Sequence, residues 1–394
     1  MVKHETNEKT QNKRNVFFRL FRVFSFVSCL IFFCSIVSSQ STEATYNRAV
    51  ELQRQGKLTE AAEAYRAFLK HEPNHAGAHA NLAAVLAKMG MYQEAVSGYE
   101  TALRLNPQLT DIFFNLGSAH FRAGQFSKAC ERLREYLGFN PDDWRAHQLL
   151  GLSLLELGRD VEALPSLEKA DKSNPNDTSL LFGLGIAYLR LDRPEVMTIV
   201  ERLAKAPPGL PFSHLLRGQN HLANNNVESA IEALEAAAKL STSLPRLHFS
   251  LGTAYLRAGR NGDAFREFET ELTAMPGDFW TIYYLAYILE AEGKLDPARE
   301  KLGLALKLEP RSLECNSLLG KILLKQGKPA DAVSPLEIAV AQNPDDSNTR
   351  FQLARAYQQS GRRKEAAREY AEVQRLKDRG IEKEREEGLR NKRK

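Results

Sequence analysis

Apolar and polar positions along this chain alternate at helical spacing and are interrupted at regular intervals. Leu82 and Leu86 share one helical face, Ala95, Tyr99 and Ala102 share another, and Gly90 stands between the two stretches. Apolar side chains three and four residues apart predict amphipathic helices. A glycine between two such runs ends the first helix and permits a tight left-handed turn. The pattern therefore predicts a pair of short helices joined at Gly90.

The same pair returns along the chain. Leu82-Ala83, Leu116-Gly117, Leu150-Gly151 and Leu184-Gly185 are spaced by 34 residues, as are Pro73, Pro107, Pro141 and Pro175. Ten repeats begin at Thr42, Ala76, Thr110, Trp144, Thr178, Pro211, Pro245, Phe279, Leu313 and Ser347, the fifth being one residue short. The eighth place is Gly or Ala in all ten repeats, and the twentieth is Ala in nine, with Met197 the exception. The fifteenth is Gly in eight, with Asp192 and Asn225 in the other two. A small eighth residue lets the second helix cross close to the first. Alanine at the twentieth place meets it from the other side. A large residue at the twenty-fourth place, such as Tyr65, Tyr99, Leu133, Phe268 or Tyr370, fills the gap. Proline at the thirty-second place stops the second helix.

In period, order and residue type this pattern resembles the tetratricopeptide repeat, from Thr42 to about Leu376. The resemblance implies an all-α fold, a right-handed α-solenoid of about ten helix-turn-helix repeats spanning residues 42–376. It further implies that first helices line a concave groove where a protein or peptide partner binds. A single helix pair cannot bury its apolar face alone, so stacking supplies the stability. The fifth and sixth repeats, residues 178–244, depart from the pattern. The fifth turns through Leu191-Asp192-Arg193-Pro194-Glu195 and the sixth through Asn224-Asn225-Asn226, without a proline at the thirty-second place. A degenerate pair of repeats and a hinge both fit those departures. Residues 377–394 form a charged tail with Ile381 and Leu389 its apolar residues. It reads as a solvating helix over the last repeat, or as a basic hook.

Ahead of the repeats, Lys13, Arg14, Arg19 and Arg22 precede an apolar run from Val23 to Val37, followed by Ser38-Ser39-Gln40. A basic stretch, an apolar core and small residues before a polar start predict an export signal over residues 1–39, cut after Ser39. With Val16 to Phe21 included, the apolar zone approaches spanning length, so an uncleaved anchor over residues 16–37 is the alternative. Either reading places the repeats outside the cytosol.

Charge adds one exclusion. The chain carries a net charge of +5, but the two termini are basic and the body between them is slightly acidic. A nucleic-acid groove needs clustered positive charge along one face, so nucleic acid is not an expected partner.

Catalytic chemistry has no segment left to occupy. The chain lacks a phosphate-cradling glycine loop, a nucleophile elbow, a His-Glu-x-x-His run and a Cys-x-x-Cys pair. His71, His75 and His79 are four apart, a metal-ligating stripe if one helix carried them, but Pro73 interrupts it. Cys29 and Cys34 fall in the apolar segment, and Cys130 and Cys315 read as small packed side chains. Neither cofactor nor metal is expected.

The resemblance directs attention to the second, fifth, sixth, ninth, twelfth and thirteenth places, which tend to face the groove in that family. Asn47, Asn81 and Asn115 occupy the sixth place of successive repeats, like the asparagine ladder of relatives that hold extended peptides. An amide both donates and accepts, so it can read a peptide backbone. In the eighth repeat, Trp280, Tyr284 and Tyr287 fall on one helical stripe, and Lys321 and Arg355 follow at the ninth place of the next two repeats. Rigid aromatics with polar tips are common anchors, and the cations suit an acidic or carboxylate-bearing ligand. Helix-polar exposure and inter-repeat packing are the bland alternatives for these two groups. The carboxylate clamp of the co-chaperone relatives is not carried over, because Tyr46 and Val50 occupy its places in the first repeat. The expected function is an exported, non-catalytic scaffold, or a membrane-anchored recruitment subunit with the same binding face.

Overall fold

The computed structural model describes residues 42–205 and 209–391. The segment expected to act as signal or anchor lies outside the described residues. Among those described, every regular element is helical, and no helix is long and apolar enough to cross a membrane.

Two compact bodies divide at Val196 and Met197, inside the fifth repeat. The first holds α1 (residues 42–54), α2 (Leu58–His71), α3 (Ala76–Lys88), α4 (Tyr92–Leu105), α5 (Asp111–Arg122), α6 (Phe126–Phe139), α7 (Trp144–Glu156), α8 (Asp160–Ser173) and α9 (Thr178–Arg190). The second holds α10 (Val196–Lys205, all but its first residue), α11 (Leu210–Ala223), α12 (Val227–Leu240), α13 (Leu247–Arg257), α14 (Asn261–Ala274), α15 (Phe279–Ala291), α16 (Leu295–Leu308), α17 (Leu313–Lys325), α18 (Pro329–Gln342), α19 (Ser347–Gln359) and α20 (Arg363–Asn391). Odd-numbered helices are the first of each repeat and even-numbered helices the second. Within a body each helix packs on its neighbours in sequence, as in α3 on α4 and α4 on α5.

The packing has one recurring contact at its centre. A methyl group on Gly117 would stand 2.8 Å from Leu133 Cγ, and one on Gly151 or Gly218 would stand 2.5 Å from Leu167 or Leu234 Cγ. Eighth and twenty-fourth places of the same repeat thus face each other directly. The large side chain fills the volume that the missing Cβ vacates.

The turns between paired helices are left-handed throughout. Gly90 has φ 80°, and Asp192 and Asn225 take φ 52° and 58° at the same place in the two departing repeats. Asp and Asn tolerate this region better than other side chains do, so the turn survives the loss of glycine. The sixth repeat is otherwise ordinary, with α11 and α12 of 14 residues each. The fifth is the shortened one, its second helix α10 having 10 residues.

Six of the first helices, α3, α7, α9, α15, α17 and α19, begin at a cap in the thirty-fourth place of the preceding repeat, whereas α5, α11 and α13 start at Thr110, Gly209 and Arg246 without a side-chain cap. Asp143, Asp177, Asp278, Ser312 and Asp346 all accept a backbone N–H of the following helix, and His75 does the same for Ala78 at 2.9 Å. Such caps satisfy amides that the helix leaves unpaired. His79 Nε2 meets the Pro73 carbonyl at 2.8 Å, so two of the three spaced histidines hold an inter-repeat turn. Cys130 and Cys315 are buried free thiols.

A second tie recurs between repeats. Tyr188, Tyr255 and Tyr357, each the eleventh residue of its repeat, donate to Glu168, Glu235 and Glu337 of the repeat before, at 3.0, 2.9 and 2.6 Å. Arg260 and Arg362 lie 4.3 Å over the rings of Tyr255 and Tyr357. In the third repeat His120 takes the eleventh place, with its Nδ1 2.7 Å from Gln125 Oε1.

The charged tail is continuous with the last repeat. Helix α20 runs unbroken for 29 residues, with Val373 and Leu376 buried and Arg379 paired to Asp345 at 2.7 Å.

Candidate protein-binding wall

Within each body, first helices approach one another across the intervening second helix. Contacts join α3 to α5, α5 to α7 and α7 to α9 in the first body, and α11 to α13, α15 to α17 and α17 to α19 in the second. Among the described residues, second helices make no comparable contacts with one another. Within each body the first helices therefore form a wall.

The second body carries an aromatic cluster on that wall. Trp280 and Tyr284 have ring centroids 6.3 Å apart, Tyr284 stacks on Phe268 at 5.3 Å, and Phe249 of α13 touches both Phe268 and Tyr284. Tyr284 is thus half-buried packing between α13, α14 and α15. Tyr287 pairs with Tyr283, at 6.4 Å. The expected single stripe is consequently a wider sheet of rings, with Trp280 42% and Tyr287 41% exposed at its edge.

Arg246 props the N-terminal end of this cluster. Its guanidinium lies 4.0 Å over Phe249, 2.6 Å from Asp278 and 3.3 Å from the buried Glu271. It does so from a left-handed backbone, φ 58°, a conformation costly for a residue of its kind. Asp278 in turn caps α15, accepting from Thr281 N–H at 2.8 Å. Burial pushes the Asp278 carboxyl up, but the Thr281 and Arg246 bonds outweigh it and hold the group below its ordinary range.

Lys321 is less free than its sequence position implied. Its ammonium lies 2.8 Å from Glu290, a carboxylate 2% exposed on α15, and Lys325 reaches the other oxygen at 2.5 Å. Burial would raise the Glu290 carboxyl; the two lysines reverse that and hold it below the usual carboxylate range. Arg355 is exposed on α19 and has no ion-pair partner among the described residues.

The three asparagines differ among themselves. Asn81 donates to the Tyr46 hydroxyl at 3.0 Å, joining α3 to α1, while Asn47 and Asn115 are exposed. The structure thus gives the middle rung an internal partner.

Several wall residues carry no signal in the spacing alone. Phe249 joins the cluster through Tyr284 of the next repeat, and Arg246 through Phe249 of α13 and Asp278 at the start of α15. Tyr283 joins it through rings of α15 itself, and Glu290 flanks it through the lysines of α17. An acid at the twelfth place of an otherwise apolar helix, 31 residues before Lys321, is the one pairing that a register argument could have found.

The profile of the Tetratricopeptide repeat family matches residues 46–110, 114–178 and 215–279. This chain carries tetratricopeptide repeats. A profile of the Bacterial transcriptional activator domain matches residues 290–393, where α16 to α20 continue the same paired helices. Among solved structures, the APC/C hetero-tetramer Cut9-Hcn1 superposes with a TM-score of 0.56 at 16% identity, covering 80% of this chain and 63% of that one. The likeness at that identity is one of fold. Anaphase-promoting complex subunit 3 of Schizosaccharomyces pombe is 23% identical over 171 residues, 43% of this chain and 26% of that protein. The tetratricopeptide repeat and J domain-containing co-chaperone DNJ1 of Fusarium oxysporum f. sp. lycopersici is 33% identical over 109 residues, 27% of this chain and 21% of that protein. The matched stretch thus spans about a quarter of the length of each of these curated relatives. Among the described residues of this tetratricopeptide chain, no group of three or more His, Cys, Asp or Glu is placed to hold a metal ion.

Proposed function

We propose that this chain is a non-catalytic scaffold whose tetratricopeptide repeats hold a protein or peptide partner against the wall of first helices. The observation that carries this reading is the exposed edge of a rigid aromatic cluster. Trp280 and Tyr287 each leave about two fifths of their surface open while neighbouring rings fix their orientation. A large ring fixed in advance loses little entropy on binding and gives much contact area. Closer approach among first helices than among second helices, among the described residues of the second body, supports reading this edge as facing the inner side of the repeats. The named roles of two relatives, a subunit of a complex and a co-chaperone, agree with partner holding.

Affinity capture with the tagged chain, read by mass spectrometry, tests this. Trp280→Ala with Tyr287→Ala is expected to deplete the captured partner at least tenfold while helical circular dichroism is unchanged. Undiminished capture by that variant means the rings serve packing alone.

The sequence of residues 1–39 supports export of this scaffold, with a retained anchor over residues 16–37 as the second reading. N-terminal sequencing separates them. A start at Gln40 in the soluble exported fraction supports cleavage, and Met1 in the membrane fraction supports the anchor. Met1 on a cytosolic protein overturns both.

A further inference from the structure

The ninth place of successive first helices in the second body reads Gln219, Thr253, Tyr287, Lys321 and Arg355. Helices α15, α17 and α19 touch in turn, so the last three of these residues form a row, one per helix. Packed helices lie about 10 Å apart, and an extended chain advances about 3.3 Å per residue. A peptide crossing this wall therefore passes one helix about every three residues.

The row changes character along its length. Its α15 station is aromatic, Tyr287 beside the Trp280 cluster. Its α17 station holds two ammonium groups, Lys321 and Lys325, against the single carboxylate of Glu290, which leaves an excess positive charge. The lysine side chains are 39% and 48% exposed, so their outer faces stay open to a ligand. Its α19 station is Arg355, exposed and unpaired among the described residues.

Building on the proposed partner-holding role, we propose that this wall takes an extended acidic peptide of defined spacing. One large aromatic or apolar side chain sits on the Trp280 and Tyr287 edge. Carboxylates about three and six residues away face Lys321 with Lys325, and then Arg355. Charge complementarity selects the ligand, and the helix spacing sets its register. A carboxylate arriving at α17 shares two ammonium groups that one buried acid does not fully neutralise, which makes that contact charge-assisted.

The test uses the whole chain and fluorescein-labelled probes with a Trp-Gly-Gly-Asp-Gly-Gly-Asp core, in both chain directions, together with Asn and Lys counterparts. One direction of the acidic core is expected to bind at least tenfold tighter than its Asn counterpart, and the margin shrinks as salt is raised. Arg355→Glu should shift preference toward the Lys counterpart. Lys321→Gln, which leaves Lys325 on Glu290, should weaken acidic binding severalfold without loss of helical dichroism. Equal binding of Asp and Asn cores, or an unchanged preference in Arg355→Glu, overturns the inference. If that happens while Trp280→Ala with Tyr287→Ala still abolishes partner capture, the scaffold reading stands and only the charge code is lost. If neither set of variants has an effect, both readings fall.

Discussion

Lys321 Nζ lies 2.8 Å from Oε2 of Glu290, tying the first helix of one repeat to that of the next through a carboxylate that water scarcely reaches. Lys325 shares the load at 2.5 Å. Losing one lysine leaves the acid with a partner; losing both leaves a buried charge with none. Lys321→Met should cost about 1 kcal/mol, and the double change with Lys325→Met about 3–5 kcal/mol, read from urea unfolding midpoints. Glu290 also sets a pH response. Its folded carboxyl lies below the ordinary range, so its contribution is fully present above the unfolded value of about 4.3. That contribution is lost as pH falls through the lower folded value. Glu290→Gln should flatten the acid limb of the stability profile, and an identical limb in that variant would contradict the assignment.

Gly117 and Leu133 make the second prediction. A side chain on Gly117 meets Leu133 at once, since even a Cβ would stand 2.8 Å from its Cγ. Gly117→Ala should destabilise the first body by about 1–3 kcal/mol. Leu133→Ala in the same chain should cost less than the two single changes combined, because the second change makes room for the first. Strict additivity would show that the two places do not meet.

The third concerns the turns that lack glycine. Asn225 sits at φ 58°, where a side chain costs about 1 kcal/mol that glycine does not incur. Asn225→Gly should raise stability by up to about 1 kcal/mol, and Asn225→Ala should lower it by a similar amount. Asp192 at φ 52° should follow the same order. Thermal midpoints check this; a stabilising alanine would mean that the turn had rearranged.

The fourth follows from the tyrosines. Burial pushes Tyr99, Tyr255 and Tyr357 up to about 12, helped in the last two by the facing Glu235 and Glu337. The folded state therefore favours the neutral phenol. Its contribution is complete below the unfolded value of about 10 and lost as pH rises toward 12. Stability should fall steeply across that window, with phenolate absorbance rising together with unfolding. Tyr255→Phe should cost about 1 kcal/mol at neutral pH and soften the alkaline fall. Phenolate forming near pH 10 in the still-folded chain would contradict this.

Much of the repeat was legible because its determinants are local. Gly90, Ala95 and Pro107 act within one repeat, through backbone conformation and helix termination, so their spacing alone exposes them. The wall was less legible. Trp280 and Tyr287 stand where the register put them, exposed on α15. Tyr284, however, is taken up by Phe249 and Phe268, Asn81 by Tyr46, and Lys321 by Glu290. Each of those partners belongs to another helix, and spacing along one helix says nothing of what a neighbour offers.

The chain by itself determined the period, the helix pairs, the small residue facing the large one and the place of every turn. These depend on chemistry within about thirty residues and recur whenever the residues recur. Only the tertiary structure decided which groups on the wall remain open. That depends on contacts between separate helices, such as Arg246 at the start of α13 with Asp278 at the start of α15, or Glu290 with two lysines, where burial and charge from separate segments meet and compete for the same atoms.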